Sequence, residues 1–163
     1  MQTTYLSLGS NLGDREANLR AAIAKLGDFG EVLAVSSLYE TEPVEFTEQP
    51  WFLNCAVALR TELTAEQLLV AIKTIEQEMG RCRVQPKGPR NIDLDILLFG
   101  DAIISIPELE VPHPAMHQRR FVLTPLAEIA PDVFHPVNNK TVRNLLRSLP
   151  LDDGQVRKIK RAQ

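Results

Sequence analysis

The sequence predicts an α+β fold, a ferredoxin-like α/β sandwich in which helices pack on a mostly antiparallel sheet. The hydrophobic pattern runs in the order strand, helix, strand, strand, helix, strand, with turn and capping residues between the elements. The chain of 163 residues contains no repeat or linker that would divide it. We therefore expect a single domain over residues 1–163, whose basic stretch from about residue 151 is a solvated tail.

The first half of the pattern predicts a strand, a helix and two more strands. A short strand covers residues 5–8, and a turn follows it. The helix comes next, because Asp14 can cap its start and Gly27 can end it. Residues 32–39 have strand character, and residues 52–63 alternate in the way that a half-buried strand does.

The second half predicts a helix, a strand and two further helices. A capping box at residues 64–67 starts a helix that ends at Gly80. A buried strand follows in the apolar run 96–99, and its first residues carry the acidic pair described below. Residues 124–129 and 142–146 have the pattern of short helices. The whole order is that of the split βαβ plan.

The composition indicates a soluble globular protein with 44% hydrophobic residues, 24% charged residues and a formal net charge of −3. This charge does not favour a nucleic-acid partner, and no apolar run approaches the ~18–20 residues of a membrane span. The N-terminal segment lacks the basic and apolar regions of a signal peptide. Two cysteines, Cys55 and Cys82, fit a reducing compartment. We expect a cytoplasmic monomer without nucleic-acid or membrane partners.

An Asp-x-Asp pair at the start of an apolar strand is the most informative feature of the chain. Side chains alternate along a strand, so Asp93 and Asp95 project together while Leu94 and Ile96 project to the other face. Their Cα atoms would lie about 6.6 Å apart, which suits two cations about 3.5–4 Å apart. Mg²⁺ fits, since it takes a few carboxylates and completes its ligands with water and phosphates. The alternative is a pair of solvated acids.

Two loops stand out as functional rather than structural, and the first of them is longer than a tight hairpin needs. Residues 41–50 join two strands, and residues 81–90 lead into the Asp-x-Asp strand. The second loop carries four cations, Arg81, Arg83, Lys87 and Arg90. A charge run is usually a solvated surface, but arginine forks beside paired carboxylates are suited to the oxygens of a polyphosphate. We expect both loops to be long, mobile active-site loops.

Several short motifs occur in an order that is typical of one enzyme family. They are Gly9-Ser10-Asn11-Leu12, Pro50-Trp51-Phe52-Leu53-Asn54, Ile75-Glu76 with Gly80-Arg81, Gly88-Pro89-Arg90 with Asp93-Leu94-Asp95, and Val111-Pro112-His113 with Arg119 and Phe121. In this order the chain resembles the 6-hydroxymethyl-7,8-dihydropterin pyrophosphokinases over about residues 3–150. The resemblance implies an enzyme of folate biosynthesis that transfers pyrophosphate from ATP to the hydroxymethyl group of a reduced pterin and releases AMP.

The resemblance also implies a role for each motif residue. It places two Mg²⁺ ions on Asp93 and Asp95, between the phosphates of ATP and the pterin hydroxyl. The implied catalytic residues are Arg81, Arg90, Asp93 and Asp95. The implied ATP-binding residues are Glu76, Arg83, His113 and Arg119. The implied pterin-binding residues are Thr41, Pro43, Val44, Phe52, Asn54 and Phe121, with the two phenylalanines stacking on the ring and Asn54 bonding to its polar edge.

Other interpretations of these residues and of the whole chain stay open. Phe52 and Phe121 could be core residues, while Glu76 could be a helix-surface acid and His113 a structural histidine. The chain as a whole could be a non-catalytic pterin- or nucleotide-binding module. A nucleotidyltransferase is disfavoured because the Gly-Ser motif lies about eighty residues before the acidic pair. The negative charge gives little support to an RNA-binding domain.

Overall fold

The structure is a computed structural model that describes residues 1–42, 48–80, 91–150 and 156–160. An antiparallel sheet of six strands is the main feature of these residues. In chain order the described helices and strands are β1 (Gln2–Ser10), α1 (Arg15–Leu26), β2 (Glu31–Val35), β3 (Leu38–Thr41), β4 (Phe52–Thr61), α2 (Ala65–Glu78), β5 (Asp93–Phe99), β6 (Ile104–Ile106), β7 (Leu109–Val111), a short 3₁₀ helix (Met116–Gln118), α3 (Arg120–Ile129), β8 (Phe134–His135), β9 (Lys140–Thr141), α4 (Val142–Arg147) and β10 (Val156–Lys160).

The strand order confirms the predicted topology. Along the sheet the order is β10, β3, β4, β1 and β5, while β2 pairs with a second part of β4. Every one of these pairs is antiparallel. With β2 and β3 taken as two parts of one strand, the order from β1 to β5 is that of the ferredoxin-like plan. Because β1 lies in the middle, its register sets which residues of β4 and β5 share a row.

Side-chain caps define the starts of the first two helices, as the sequence predicts. At α1, a side-chain oxygen of Asp14 accepts a hydrogen bond from the N–H of Ala17 at 3.1 Å. At α2, the Thr64 hydroxyl accepts from the Gln67 N–H at 3.1 Å, and the Gln67 side chain accepts from the Thr64 N–H at 2.9 Å. Each cap satisfies backbone donors that the helix itself leaves unpaired, which contributes about 1 kcal/mol.

Each face of the sheet carries its own apolar core. Alternate residues of β4 are buried against α1 and α2 on one face: Leu53, Cys55, Val57 and Leu59. On the other face, Ala56 joins a second core that includes Leu123 and Leu126 of α3 and Val142 of α4. Asn54 and Asp93 belong to neither core. The end of the sheet that carries them is therefore available for a functional site.

The strand expected over residues 32–39 is instead two strands, β2 and β3. Ser36 and Ser37 separate them and are both buried. The Ser36 hydroxyl accepts a hydrogen bond from the Ala56 N–H at 2.8 Å and donates one to the Ser37 carbonyl at 2.8 Å. A side chain thus replaces a backbone partner at this point. A hydrophobic pattern does not reveal that a side chain has taken the place of a backbone acceptor, since the pattern records polarity and not hydrogen bonding.

The later helices lie close to their predicted positions. The helix expected at residues 142–146 is α4, which covers Val142–Arg147. The helix expected at residues 124–129 begins four residues earlier, at Arg120, and contains Pro125 in its interior. Proline is usually found in the first turn of a helix, so its interior position hides the true start. Within the described residues, no helix is long and apolar enough to cross a membrane.

Within the expected solvated tail, residues 157–159 are exposed, but residues 156–160 belong to the sheet. They form β10, which pairs with β3 at the edge of the sheet. Val156 is the partner of Thr41, and Arg157 is the partner of Glu40. The opposite charges of Arg157 and Glu40 support this register. The basic composition suggested solvation, because charge patterning alone does not show a partner that lies more than a hundred residues away.

Candidate active site

The two aspartates lie on one face of β5, as the alternation predicts. Asp93 and Asp95 are half-buried, whereas the intervening Leu94 and the flanking Ile92 and Ile96 are buried. In the sheet, Asp93 pairs with Gly9 and Asp95 with Ser7, both on β1. The strand that carries the acids is an edge strand.

A cavity of about 350 Å³ lies beside this edge strand. Four residues that the sequence analysis assigned to phosphates or metal line it: Glu76, Asp93, Asp95 and His113. Its walls come from α2, β5 and the hairpin of β6 and β7. Three charged residues that the sequence analysis did not assign also line it: Lys73, Glu108 and Glu110. Lys73 could have been found from spacing, since it precedes Glu76 by three residues on the same helix.

Glu76 connects helix α2 to the acidic strand. Its side chain is buried, with 5% of its surface exposed. One of its carboxylate oxygens accepts a hydrogen bond from the backbone N–H of Leu94 at 2.8 Å. The open interpretation of Glu76 as a helix-surface acid is therefore wrong. The residue holds the segment between Asp93 and Asp95, and it also lines the cavity.

His113 is held in a defined orientation at the cavity. Its backbone N–H donates to the carbonyl of Leu97 on β5 at 2.9 Å. Its ring Nδ1 accepts a hydrogen bond from the N–H of Ala115 at 3.1 Å. A neutral imidazole that accepts at Nδ1 carries its proton on Nε2. His113 can thus donate a hydrogen bond from Nε2 while it stays uncharged.

A second group of predicted residues lies on β4 and β3, on the side of Gly9 that faces away from β5. Asn54 on β4 is the register partner of Gly9, and its amide nitrogen donates to the hydroxyl of Thr41 on β3. A Cβ atom on Gly9 would lie 2.6 Å from the side-chain oxygen of Asn54 and 3.4 Å from the ring of Phe52. Both side chains therefore pack over the bare backbone of Gly9. Only glycine leaves room for them there.

Arg119 and Phe121 lie together at the start of α3. The guanidinium carbon of Arg119 is 5.5 Å from the centroid of the Phe121 ring. The Phe121 side chain is half-buried and packs against the second core. Its interpretation as a core residue is thus partly correct. Whether it also stacks on a ligand opposite Phe52 stays a prediction.

Five of the predicted site residues lie outside the described part of the chain. They are Pro43 and Val44 in the first long loop and Arg81, Arg83 and Arg90 in the second. The catalytic role of Arg81 and Arg90 therefore stays a prediction from the sequence. Among the described residues, the acids and His113 line the cavity, while Phe52 and Asn54 pack over Gly9 and Thr41 bonds to Asn54.

The carboxylate ligands at this edge of the sheet suit a hard divalent cation that a phosphate substrate helps to bind. Within residues 1–42, 48–80, 91–150 and 156–160, no three His, Cys, Asp or Glu side chains form a metal-holding group. Asp93 and Asp95 supply two carboxylates on one face beside an open cavity. Mg²⁺ is commonly bound in this way, with one or two carboxylates from the protein and other ligands from water and phosphates.

Comparisons with known proteins point to one family. A family model described as 7,8-dihydro-6-hydroxymethylpterin-pyrophosphokinase (HPPK) matches residues 5–131. The 2-amino-4-hydroxy-6-hydroxymethyldihydropteridine pyrophosphokinase of Bacillus subtilis (strain 168) is 50% identical over 131 residues, which cover 79% of this chain and 78% of that protein. The Aquifex aeolicus (strain VF5) protein of the same name is 43% identical over 143 residues, or 88% of this chain and 89% of that protein.

A longer relative and a solved structure also match this chain. The folic acid synthesis protein fol1 of Pneumocystis carinii is 43% identical over 149 residues, and this chain spans only 20% of its length. The crystal structure of wild-type Plasmodium falciparum HPPK-DHPS with pteroate matches with a TM-score of 0.70 at 20% identity, covering 90% of this chain and 42% of that one. At that identity the likeness establishes the fold alone.

Proposed function

We propose, because the chain belongs to the 7,8-dihydro-6-hydroxymethylpterin-pyrophosphokinase family, that it transfers pyrophosphate from ATP to 6-hydroxymethyl-7,8-dihydropterin in folate biosynthesis. The hydroxymethyl oxygen of the pterin bonds to the β-phosphorus of ATP. The bond from that phosphorus to the α–β bridging oxygen breaks, and AMP leaves with the bridging oxygen. The hydroxyl proton is released. The alternative of a non-catalytic binding module has no support in the family comparison.

One row of the sheet carries this proposal. Gly9 on β1 pairs with Asp93 on one side and with Asn54 on the other. Adjacent strands lie about 4.8 Å apart, so the backbones of Asp93 and Asn54 are separated by about 10 Å on one face. A flat pterin can lie over Gly9 with its polar edge at Asn54. Its hydroxymethyl group then points towards the acidic pair.

The pterin half of the site provides both polar and apolar contacts. The Asn54 amide contains a donor and an acceptor, which match the amide and amino groups of a pterin. Its hydrogen bond to Thr41 holds the amide in place. Phe52 packs next to it and offers a ring face for stacking. In this proposal Phe121 covers the opposite face, and Pro43 and Val44 add contacts from the loop.

The phosphate half of the site is the cavity beside β5. His113 can donate from Nε2 to a phosphate oxygen without carrying charge. Arg119 at the start of α3, with Arg81, Arg83 and Arg90 from the basic loop, would balance the charge of ATP. Glu76 contributes by holding the acidic strand in position. Positioning and charge balance supply most of the catalysis in transfers of this type.

Asp93 and Asp95 are the residues that would hold Mg²⁺, and we propose two ions. Both carboxylates face the same side of β5 beside the cavity. When bound, the ions would neutralise phosphate charge and ease the loss of the hydroxyl proton. The two aspartates supply the negative charge that retains the cations next to the phosphates.

We also expect the chain to work as a cytoplasmic monomer without nucleic-acid or membrane partners. Size-exclusion chromatography with light scattering tests the monomer, since a dimer would double the 18.3 kDa mass of the chain.

The direct test is to incubate the pure protein with ATP, Mg²⁺ and 6-hydroxymethyl-7,8-dihydropterin and to identify the products. Pterin-dependent release of AMP together with pterin diphosphate is expected, and a metal chelator should stop it. ADP as the nucleotide product would mean that a single phosphate is transferred, which contradicts the proposal. Binding of both substrates without any product would support the non-catalytic alternative.

A further inference from the structure

Arg157 on the C-terminal strand contacts two residues at the ends of neighbouring strands. It lies on β10 opposite Glu40 of β3 and donates a hydrogen bond to one carboxylate oxygen of Glu40. Its guanidinium carbon is also 5.4 Å from the centroid of the Trp51 ring. Trp51 immediately precedes β4. The Arg157 side chain therefore connects the end of β3, before the first long loop, to the residue that precedes β4, after that loop.

Arg15 approaches the same two residues from the start of α1. Its guanidinium lies 2.9 Å from the second carboxylate oxygen of Glu40 and donates to the Trp51 carbonyl at 3.0 Å. A hydrogen bond from Arg157, and to a smaller extent one from Arg15, lowers the pKa of Glu40, so its carboxylate is ionised at neutral pH. We call Arg15, Glu40, Trp51 and Arg157 the arginine clamp.

The arginine clamp lies next to the pterin-binding residues but does not face them. Glu40 precedes Thr41, and Trp51 precedes Phe52, while Thr41 and Phe52 are register partners. Successive side chains of a strand project to opposite faces, so Glu40 projects away from the face that carries Thr41. Among the described residues, the clamp can therefore affect a pterin through the positions of β3 and β4.

We propose that Arg157 is a positioning residue for pterin binding, which acts through Glu40 and Trp51 to hold Thr41 and Phe52 at a fixed separation. This inference rests on the proposed function. Arg157 is 63% exposed, and an ion pair of that kind contributes little to global stability. Its effect is therefore local. The planar guanidinium bonds to one carboxylate oxygen of Glu40 and also lies over the Trp51 ring, and a lysine ammonium reproduces this pair of contacts less well.

The test compares Arg157→Ala and Arg157→Lys with Arg143→Ala as the matched control. Arg143 forms a similar exposed ion pair, at 2.7 Å from Asp132, away from the clamp. Calorimetric titration measures pterin binding in the presence of Mg²⁺ and α,β-methylene-ATP, in which the bond to be broken is blocked. We expect Arg157→Ala to weaken pterin binding by about three- to tenfold and Arg157→Lys by less. Arg143→Ala should leave pterin affinity unchanged.

Two further measurements separate positioning from a general structural role. Affinity for the ATP analogue should change by less than about twofold in Arg157→Ala, and its melting temperature should match that of the Arg143→Ala control. In a Glu40→Gln background, Arg157→Ala should have a smaller effect on pterin affinity, because the shared contact is already lost.

Unchanged pterin affinity in Arg157→Ala would overturn the inference. Equal weakening of pterin and ATP-analogue binding, together with a lower melting temperature, would also overturn it in favour of a structural role. Failure of the wild-type protein to bind the pterin at all is a different result. It would refute the proposed function itself, and with it this inference.

Discussion

Glu76 on α2 accepts a hydrogen bond from the backbone N–H of Leu94 at 2.8 Å, midway between the two aspartates of β5. Because this N–H bonds to Glu76, it points away from β1, towards the open side of the edge strand. A buried carboxylate on the adjacent helix takes the place of the missing strand. This hydrogen bond holds the part of β5 that carries Asp93 and Asp95 against helix α2.

The Glu76 contact predicts a clear difference between two substitutions. Glu76→Ala leaves the Leu94 N–H buried without this acceptor, which should lower the free energy of unfolding by about 1–3 kcal/mol. Glu76→Gln keeps an acceptor oxygen and should lose less. Urea denaturation measures both. Glu78→Ala on the same helix is the control, because Glu78 is exposed and its pair with Lys25 contributes little. A similar loss in all three variants would contradict this role.

The acidic pair predicts loss of turnover without loss of the fold. Asp93→Asn and Asp95→Asn keep the side-chain shape and remove the charge that would retain Mg²⁺. Each should lower AMP release by at least about 100-fold while the melting temperature stays close to that of the wild type. Asp101→Asn is the control, since Asp101 is an exposed acid just after the same strand. Near-normal turnover in either site variant would rule out the two-metal role.

Gly9 predicts a defect that is specific for the pterin. In Gly9→Ala the new Cβ would lie 2.6 Å from the Asn54 side-chain oxygen, so Asn54 has to move. We expect the KM for the pterin to rise by about tenfold or more, with a smaller change for ATP. Gly27→Ala serves as a matched control because Gly27 ends α1, and its Cβ would be 3.2 Å from the Ala24 carbonyl. Equal changes in both KM values would show that Asn54 does not read the pterin.

The contact between Tyr39 of β3 and Glu128 of α3 predicts a pH dependence of stability. The Tyr39 hydroxyl donates to the Glu128 carboxylate at 2.6 Å. Burial and this hydrogen bond raise the pKa of Tyr39 above its ordinary value of 10.0. Burial alone would raise the pKa of Glu128, but hydrogen bonds from Tyr39 and Ser37 outweigh it and lower that pKa below 4.5. The hydrogen bond from protonated Tyr39 to ionised Glu128 is therefore complete only at pH values above the pKa of Glu128 and below the pKa of Tyr39.

Tyr39→Phe measures this contact directly. The wild type should be more stable than the variant by a constant amount between about pH 5 and pH 9. The difference in stability between the wild type and Tyr39→Phe should shrink as the pH falls below about 4.5. Glu128 has a lowered pKa in the folded protein, so it stabilises the fold while it is ionised, and this contribution is lost when it becomes protonated. The difference should also shrink above about pH 10, where Tyr39 ionises in the unfolded chain but not in the folded one.

Urea denaturation at fixed pH values gives the comparison, with Tyr5→Phe as the control. Burial also raises the pKa of Tyr5, and no carboxylate contributes to that shift. Tyr5→Phe should therefore alter only the alkaline side of the profile. An acidic side that is unchanged in Tyr39→Phe would contradict the role of Glu128.

Local chemistry made much of the fold predictable from the sequence. The caps at Asp14 and Thr64 involve residues three positions apart, so they can be read from the sequence and are confirmed. The alternation along β4 and β5 follows from strand geometry, and it places Asp93 and Asp95 on one face. The strand between Val32 and Tyr39 was harder to predict, because Ser36 interrupts it through a bond to a distant strand.

The sequence by itself determined the element order from β1 to β5, with β2 and β3 taken as one strand, the starts of α1 and α2, and the shared face of the acidic pair. Each of these depends on residues within a few positions. Only the tertiary structure decided that Gly9 lies between Asp93 and Asn54, that Glu76 holds Leu94 and that Arg157 reaches Glu40. These relationships depend on strand register and on helix packing. Both are set by the burial of two whole cores, and no short stretch of sequence contains that information.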